Sequence, residues 1–406
     1  MLSLYLPIVK FILALHLQMS KPQLGHLFTL VQGIILCAGR KNITQIQHAA
    51  KGNRHLSSAT NFLNHSPWCV NRMQRRRMER VMKLISAKAG DKRAPVFLIV
   101  DDTCCKKDKS TKKMEGLSFQ YAHEAGKTVW CHCLVTTHVV AAEGSYAWDY
   151  RPYYPKKYCQ AQRLPFKSKN DLALEMVEAF PNPQDERVYV LIDSWYTSEK
   201  VINACNRKGF HVIAAVKTNR RIRPAGISMP LDDFAQQYIR KSDLHSVTVE
   251  DQGKYWVYPY EGPVSDIENV KLLLSWKDEY TASSKPQVCL LCTDLSLDLV
   301  TIQRYYHVRW NIETGYRYFK ELLGFDQYQL LSLHGIERFW AIQFLTQNFL
   351  ECQRQEWMTP TSKLTLGDVV RRIREEHFGQ MIVYVYQQAL EKKPLFDILQ
   401  LFRLSA

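Results

Sequence analysis

The chain has 406 residues, of which 46% are apolar and 23% charged, so it can form substantial cores and is not a disordered polymer. Because a single hydrophobic core rarely grows past roughly 250–300 residues, the length predicts more than one domain. Lysine and arginine number 54 against 39 aspartate and glutamate, a formal charge of +15. This excess predicts a polyanionic partner, either nucleic acid or an anionic membrane surface.

The apolar runs argue against a membrane partner. The longest, residues 1–17, contains Pro7, Lys10 and His16, and the next, residues 26–38, is shorter than the roughly 20 residues of a spanning helix. The first run also lacks the basic start of a signal peptide. The cysteines have no framework spacing, which is typical of free thiols in a reducing compartment. We therefore expect a cytoplasmic protein.

Residues 1–92 show only helical periodicity and predict an all-helical N-terminal DNA-binding domain. Residues 42–63 indicate two short helices joined near residues 52–54, a layout compatible with a helix-turn-helix. The next predicted helix, residues 68–89, is rich in arginine. Its basic residues form either a solvated face or a DNA contact, and they are Arg72, Arg75, Arg76, Arg77 and Arg80.

From residue 94 the pattern becomes that of an α/β layer. Residues 96–100 form an apolar strand followed by Asp101 and Asp102, and residues 188–192 form a second one followed by Asp193. Between and after them the sequence predicts a hairpin (117–121 and 128–140, with a turn at 123–126), helices at 168–180 and 198–207, and a strand at 211–216. Two buried strands would then each present an aspartate at the carboxyl end.

Residues 219–299 predict a β-rich insertion with short strands at 246–250, 255–260, 270–276 and 288–293. Helices return after residue 300. We therefore divide the rest of the chain into a catalytic domain (93–218 and 300–350) interrupted by this insertion, and a helical C-terminal region (351–406).

One predicted helix carries a polar face with a single carboxylate. On a continuous helix through residues 306–323, one face about 80 degrees wide holds Tyr306, Arg309, Glu313, Arg317 and Lys320. Glu313 either pairs with an arginine one turn away, as in an ordinary amphipathic helix, or is the third member of an acid set with the two strand-end aspartates. Three such carboxylates could hold a pair of divalent cations for phosphodiester chemistry.

These residues carry a resemblance to a known family. Tyr306, Arg309, Glu313 and Lys320 match the Y-(2)-R-(3)-E-(6)-K signature of the DDE transposases in the bacterial insertion-sequence-four group. Residues 191–196 resemble the second motif of that family and residues 98–103 resemble its first. The resemblance implies a ribonuclease H-like catalytic domain, two Mg²⁺ ions that Mn²⁺ can replace, cleavage of the ends of an insertion sequence, and strand transfer into target DNA.

The resemblance also assigns roles to individual residues. It makes Asp193 and Glu313 metal ligands and catalytic acids. The first acid is Asp101 or Asp102, because side chains alternate along a strand and only one of them can face the site. The family order Asp-x-Ser/Thr, with Thr103 two residues on, favours Asp101 and leaves Asp102 as the alternative.

The remaining predictions concern DNA. By resemblance, Tyr306, Arg309 and Lys320 contact DNA phosphates. Further candidate contacts are Arg317, the lysines of a loop after the first acid (Lys106, Lys107, Lys109, Lys112 and Lys113), and Arg75 and Arg76. An aromatic of the insertion could hold a flipped base, and the candidates are Trp256, Tyr258 and Trp276. The family also implies a homodimer on double-stranded DNA, in the nucleoid of a bacterium.

Two rival functions and one rival site remain. A metal-dependent nuclease of the same fold would cut DNA without rejoining it, and a transposase-derived DNA-binding protein would have lost the chemistry. The spacings Cys131–Cys133 and Cys289–Cys292 lie in apolar strands with no second pair nearby, so we do not predict a zinc site there.

Overall fold

The computed structural model describes residues 4–50, 55–88, 94–122, 125–183, 186–250, 252–281 and 284–401, and shows a mixed α/β protein with one large mixed sheet. In chain order, its helices and strands are α1 (Leu6–Leu13), α2 (Lys21–Leu36), α3 (Ile43–Ala49), α4 (Leu56–Asn64), α5 (Val70–Lys88), β1 (Val96–Lys106), β2 (Ser118–Ala122), β3 (Lys127–Ala141), β4 (Gly144–Tyr153), α6 (Lys156–Gln162), α7 (Lys169–Ala179), β5 (Val188–Ile192), α8 (Glu199–Arg207), β6 (His211–Ala215), β7 (Arg221–Ile222), β8 (Met229–Pro230), α9 (Leu231–Gln237), β9 (His245–Val249), β10 (Gly253–Val264), β11 (Ile267–Lys277), β12 (Val288–Cys292), α10 (Leu299–His307), α11 (Trp310–Glu321), α12 (Leu333–Trp357), α13 (Leu366–Leu390) and α14 (Leu395–Leu401).

The chain forms two compact units. The first comprises Met1–Leu84, Cys104–His132 and Gly315–Ala406, and the second comprises Ile85–Thr103 and Cys133–Thr314. The four-segment division expected from the sequence remains a prediction. Within the ranges given above, no helix combines the length and the apolarity that crossing a lipid bilayer requires.

The first unit is built mainly from helices, as its sequence predicts. Ser20 begins α2 with a capping box, in which its hydroxyl accepts from the Gln23 backbone while the Gln23 side chain accepts from the Ser20 N–H. The long helix α12 is buried over most of its length. Its Arg338 donates to the carbonyls of Phe62, Leu63 and Trp68, so one buried guanidinium holds the turn that follows α4. The joint predicted near residues 52–54 lies outside the described residues.

The second unit contains most of the sheet. Its strand order is β3-β1-β5-β6-β12-β11-β10-β7-β8, with β4 paired to β3 and β9 paired to β10. Strands β1, β5 and β6 are parallel, with Val100 opposite Ile192 and Ile192 opposite Ala214. The carboxyl ends of β5 and β6 therefore lie at the same edge as the residues of β1 that follow Val100.

The structure corrects several expectations about the elements. Strand β1 continues to Lys106, so Asp101 and Asp102 lie within the strand and Lys106 is not in a loop. It continues because Thr103, Cys104 and Cys105 are also buried. Strand β4 and the short helices α6 and α9 were not expected. The expected hairpin is present as β2 and β3, although its predicted turn falls partly on residues 123–124, which are not described.

The single helix expected through residues 306–323 is wrong. Helix α10 ends at His307 and α11 begins at Trp310. Between them Arg309 N–H donates to the Tyr306 carbonyl, and Ile312 N–H donates to the Arg309 carbonyl, both with three-residue spacing. The Asn311 side chain donates to the Val308 carbonyl at 2.9 Å, and this local competition with the helix explains the break.

One arginine of the predicted basic helix belongs to the core. Arg77 is fully buried, donates to Gln74 and to Asn348 Oδ1 (2.7 Å), and lies over the Phe344 ring. Arg75 and Arg76 instead flank Glu79 near the surface of α5. The basic face of this helix is therefore smaller than the sequence suggests.

We predict that Arg77→Ala lowers the free energy of unfolding by about 2–4 kcal/mol, because it opens a cavity and leaves buried polar partners unsatisfied. Arg75→Ala, which removes the same charge from an exposed position, should change it by about 0.5 kcal/mol or less. Urea unfolding followed by circular dichroism measures both variants. Equal effects would show that Arg77 does not stabilise this unit.

Candidate active site

The sheet register brings two of the predicted acids together. Asp101 and Asp193 directly follow Val100 and Ile192, which are partners in the parallel β1–β5 pair. Asp101 is largely buried, with 18% of its side chain exposed. Two carboxylates thus lie side by side where β5 ends beside the longer strand β1, and the carboxyl ends of parallel strands are a common location for active sites in α/β sheets.

The electrostatics of Asp101 reflect this crowding. Burial, and after it the negative charge of Asp193, raise the pKa of its carboxyl to about 7, against the opposing effects of the Arg309 guanidinium and the Asp102 N–H. A carboxylic acid therefore titrates near neutral pH at this edge of the sheet. Strongly shifted pKa values of this kind are frequent at functional sites.

Arg309 joins the aspartate on β1 to the glutamate on α11. Its guanidinium donates to Asp101 Oδ2 at 3.2 Å and to Glu313 Oε1 at 2.5 Å. The Tyr306 ring lies 5.8 Å from the same guanidinium, so these three members of the predicted signature meet although the helix between them is broken. Only 14% of the Arg309 side chain and 18% of the Asp101 side chain are exposed, so this ion pair is shielded from water, whereas Glu313 is 35% exposed.

Asp102 points to a different set of partners. Its Oδ1 accepts from the Tyr196 hydroxyl at 2.8 Å, and its Oδ2 accepts from Lys169 Nζ at 2.6 Å and from the Cys133 thiol at 3.6 Å. Both carboxylate oxygens are therefore engaged by the surrounding protein. Of the two candidate first acids, Asp101 is the one beside Asp193.

The turn after β5 is organised by Asp193 itself. Its Oδ1 accepts from the backbone N–H groups of Trp195 and Tyr196, and its carbonyl accepts from the Thr197 hydroxyl. This Asx-type turn fixes the carboxylate relative to the backbone. It also places Tyr196 where its hydroxyl reaches Asp102.

The donor set bears directly on whether a divalent cation fits. Adjacent Asp101 and Asp193 supply the hard oxygen ligands that Mg²⁺ and Mn²⁺ prefer, and a cation would relieve their mutual repulsion. Among the described residues, however, no three side chains of His, Cys, Asp or Glu are grouped closely enough to hold a metal ion. Glu313 is turned toward Arg309. The aspartate pair thus fits a cation, and Glu313 would complete the set only by releasing the arginine.

Several predicted DNA contacts occupy other positions. Lys107 donates to the carbonyls of Asp326 (2.5 Å) and Tyr328 (2.7 Å), and burial lowers the pKa of its amine to about 8, so it is a poor candidate for a phosphate contact. The other predicted contacts in this part of the chain are exposed, except Lys320, which is half-buried. The exposed ones are Lys106, Lys109, Lys112, Lys113 and Arg317.

Of the three aromatic candidates in the insertion, one is excluded. Trp276 is 1% exposed and its Nε1 donates to the Ser284 carbonyl, so stacking on a base would require β11 to unpack. Trp256 is half-buried opposite Trp276, with Lys254 Nζ 4.6 Å from its ring, and Tyr258 is also half-buried. Trp256 and Tyr258 thus remain candidates for holding a flipped base.

The sequence interpretation missed the residues that hold Asp102. Tyr196 lies inside the second motif, so its position close to Asp193 could be read from the sequence. Lys169 begins α7, far from Asp102 along the chain, and no local sequence signal indicates that they meet.

Comparison with known proteins identifies the family. A sequence family described as DDE superfamily endonuclease matches residues 18–237, more than half of the chain. The chain belongs to this family. The match includes Asp101 and Asp193 of this DDE superfamily endonuclease and ends before Glu313. Glu313 pairs with Arg309 one turn away, as in the ordinary amphipathic-helix alternative, so its role as third acid stays a prediction.

Other comparisons add little. No curated protein matches the chain. Among solved structures, this DDE superfamily endonuclease is similar to a piggyBac transposase in a synaptic complex with hairpin DNA, determined by cryo-EM. The two share 11% sequence identity over 98% of this chain and 82% of that one, with a TM-score of 0.48. A likeness this distant carries no argument about function.

The raised pKa of Asp101 leads to a pH-dependent prediction. The folded-state pKa of about 7 lies above the ordinary value of 3.8, so folding binds a proton between these values and stability falls as pH rises through this window. Asp101→Asn has no carboxyl group to ionise, so it does not lose stability in this way as the pH rises. In a chelator, we expect the variant to be more stable than wild type by about 4 kcal/mol near about pH 8, and the gain to shrink toward about pH 4.

Thermal unfolding across this pH range measures the effect. Asp266→Asn, in the exposed turn between β10 and β11, removes the same charge and serves as the control. A pH-independent difference between Asp101→Asn and wild type would contradict the prediction.

Proposed function

We propose that this chain is a cut-and-paste DNA transposase of the insertion-sequence-four type, with a ribonuclease H-like catalytic domain. The observation that carries the proposal is the parallel register that sets Asp101 beside Asp193, with Arg309 linking Asp101 to Glu313. Membership of the DDE superfamily endonuclease family supports it. The proposed substrate is double-stranded DNA, first at the ends of the element and then at the target, which would be found in a bacterial nucleoid.

In this proposal Asp101, Asp193 and Glu313 hold divalent cations. Bound Mg²⁺ or Mn²⁺ would activate the attacking oxygen and stabilise the leaving oxygen of a phosphodiester. Asp193 is held in place by its turn, and Asp101 is held by the strand. Arg309 neutralises Asp101 and Glu313 in the absence of DNA. It can exchange them for a DNA phosphate, because guanidinium groups bind phosphate oxygens and carboxylate oxygens with similar geometry.

The DNA would be held by basic groups. Arg309 and Tyr306 lie at the acids. The exposed candidates elsewhere are Lys106, Lys109, Lys112, Lys113, Arg317 and Arg75, and Arg76 and Lys320 are half-buried. Lys107 is left out because it already binds two carbonyls. The net charge of +15 supports a polyanionic substrate.

The rival functions are less well supported. A protein that only binds DNA has no use for two adjacent carboxylates at an electrostatic cost, since they repel phosphate. A nuclease that does not rejoin DNA would keep the same acids, and only its products distinguish it from a transposase.

We predict that Asp193→Asn and Glu313→Gln each lower the rate of cleavage of a DNA end by at least about 100-fold, because each removes a proposed metal ligand. Binding of the same DNA in a chelator should stay within about threefold of wild type, since the phosphate contacts are kept. Single-turnover cleavage and fluorescence anisotropy measure the two properties.

Asp102→Asn is the matched control for these acids. It removes the carboxylate next to Asp101 in the sequence, which accepts hydrogen bonds from Lys169 and Tyr196. We therefore expect this variant to be less stable than wild type and still to cleave DNA below its unfolding temperature. Normal cleavage by Asp193→Asn would refute the assignment. With precleaved ends, joined product supports a transposase and its absence supports the nuclease.

We also propose that the active form is a homodimer, and α13 supports this. Four large side chains at four-residue spacing each expose more than half of their area: Phe378, Ile382, Tyr386 and Leu390. No charged residue lies between His377 and Glu391, so this segment adds no like-charge repulsion at a contact between two copies of a chain with charge +15. An apolar stripe of this extent is unusual on a monomer and suits a self-complementary interface.

We predict that Ile382→Glu combined with Tyr386→Glu shifts the protein toward a monomer in sedimentation velocity, with affinity for itself reduced by at least about tenfold. Gln380→Glu adds a charge to the same helix on the side opposite Phe378 and should leave the association unchanged. A wild-type monomer at high concentration with DNA bound would reject this interface.

A further inference from the structure

The two most exposed tryptophans of the described residues lie close in sequence to Asp193 and to Arg309. All nine tryptophans lie within the described residues, and only Trp195 (50%) and Trp310 (57%) expose half or more of their area. Trp195 lies two residues after Asp193, and Trp310 directly follows Arg309. An indole is a large flat apolar side chain, and an exposed one can stack on the face of a nucleotide base.

The position of Trp195 is fixed by the site. Its backbone N–H donates to Asp193 Oδ1 at 2.9 Å, and the next residue, Tyr196, is fully buried with its hydroxyl on Asp102. Thr197 donates to the carbonyls of Asp193 and Ala215, which ties the turn to the neighbouring strand β6. Because the backbone on both sides is held, the indole is presented to solvent from a rigid turn.

A cation lies against the same ring. Lys217 Nζ is 5.4 Å from the centre of the Trp195 ring. Lys217 follows β6, which is parallel to β5, so the ammonium belongs to the sheet edge that carries Asp101 and Asp193. Nearby, Arg220 donates to the Thr197 carbonyl at 2.6 Å. An aromatic face with an adjacent cation is the combination with which proteins hold unpaired nucleotides, by stacking on the base and pairing with the phosphate.

We propose that Trp195 and Lys217 form a platform for an unpaired nucleotide next to the acid pair. The indole stacks on a base of the strand whose phosphodiester lies at Asp101 and Asp193, and the ammonium contacts a phosphate of that strand. Trp195 is thus a positioning residue. This inference rests on the proposed function, since it takes DNA as the substrate.

The chemistry of the platform favours an unpaired base over a paired one. In an intact duplex the faces of the bases are already stacked on one another, so an exposed indole gains little from the side of a helix. A single-stranded end offers a free face, and stacking tolerates any base. The terminal sequences of the element are therefore not needed for the test.

The experiment compares a blunt DNA duplex with the same duplex carrying a short single-stranded overhang, on the full chain in a chelator. We expect wild type to bind the overhang duplex more tightly, and Trp195→Ala to weaken that binding by about tenfold while changing blunt-duplex binding by less than about twofold. Trp195→Phe should restore most of the loss. Tyr238→Ala, which removes another exposed aromatic of the second unit, should change neither affinity.

Photocrosslinking locates the contact. With 5-iodouracil in the overhang, we expect mass spectrometry to find the crosslink on Trp195, and to find it lost in Trp195→Ala. Crosslinks on Trp256 or Trp310 instead, or an unchanged overhang affinity for Trp195→Ala, would overturn this inference and leave the proposed function standing. Failure of wild type to bind either duplex would overturn both.

Discussion

The parallel pairing of β1 with β5 is the constraint on which the candidate site depends. It places the side chains after Val100 and Ile192 next to each other, so two carboxylates meet in a poorly hydrated place. The repulsion between the two carboxylates destabilises the folded state when both are ionised. The pKa of Asp101, raised to about 7, reflects this repulsion together with burial. Arg309 supplies the compensating charge. In the proposed function a divalent cation takes over this role, because such an ion neutralises two carboxylates more effectively than one guanidinium.

Arg309 links two requirements that would otherwise conflict. Without a counter-charge, Asp101 and Asp193 would destabilise the sheet edge, and with a permanent one they could not hold cations. A guanidinium can leave for a phosphate oxygen, because it binds both kinds of anion with similar geometry. The break between α10 and α11 matters here, since it carries Arg309 between Tyr306 on one helix and Glu313 on the other. Substrate binding and assembly of the acids would then be coupled in the proposed function.

The excess of positive charge is divided between core and surface. Arg77 and Arg338 are buried and hold backbone or side-chain acceptors, and Lys107 binds two carbonyls, so these cations serve the fold. Exposed lysines and arginines remain for a polyanion. Counting charges along the sequence therefore overstates the DNA-binding surface. It nevertheless agrees with the nucleic-acid substrate of the proposed function.

The sequence by itself determined the elements with strong periodicity and the residue types of the site. Apolar runs predicted β5 and the core of β1, and local spacing predicted that Arg309 and Glu313 share one face, because these features depend on neighbours along the chain. The tertiary structure decided what depends on distant contacts. It chose Asp101 over Asp102 as the neighbour of Asp193 through the strand register and through Lys169 and Tyr196, buried Trp276 against its own sheet, and exposed Trp195. Local sequence does not encode these outcomes, since each depends on which residues the fold brings into contact; Lys169 and Tyr196, for example, are 67 and 94 residues from Asp102.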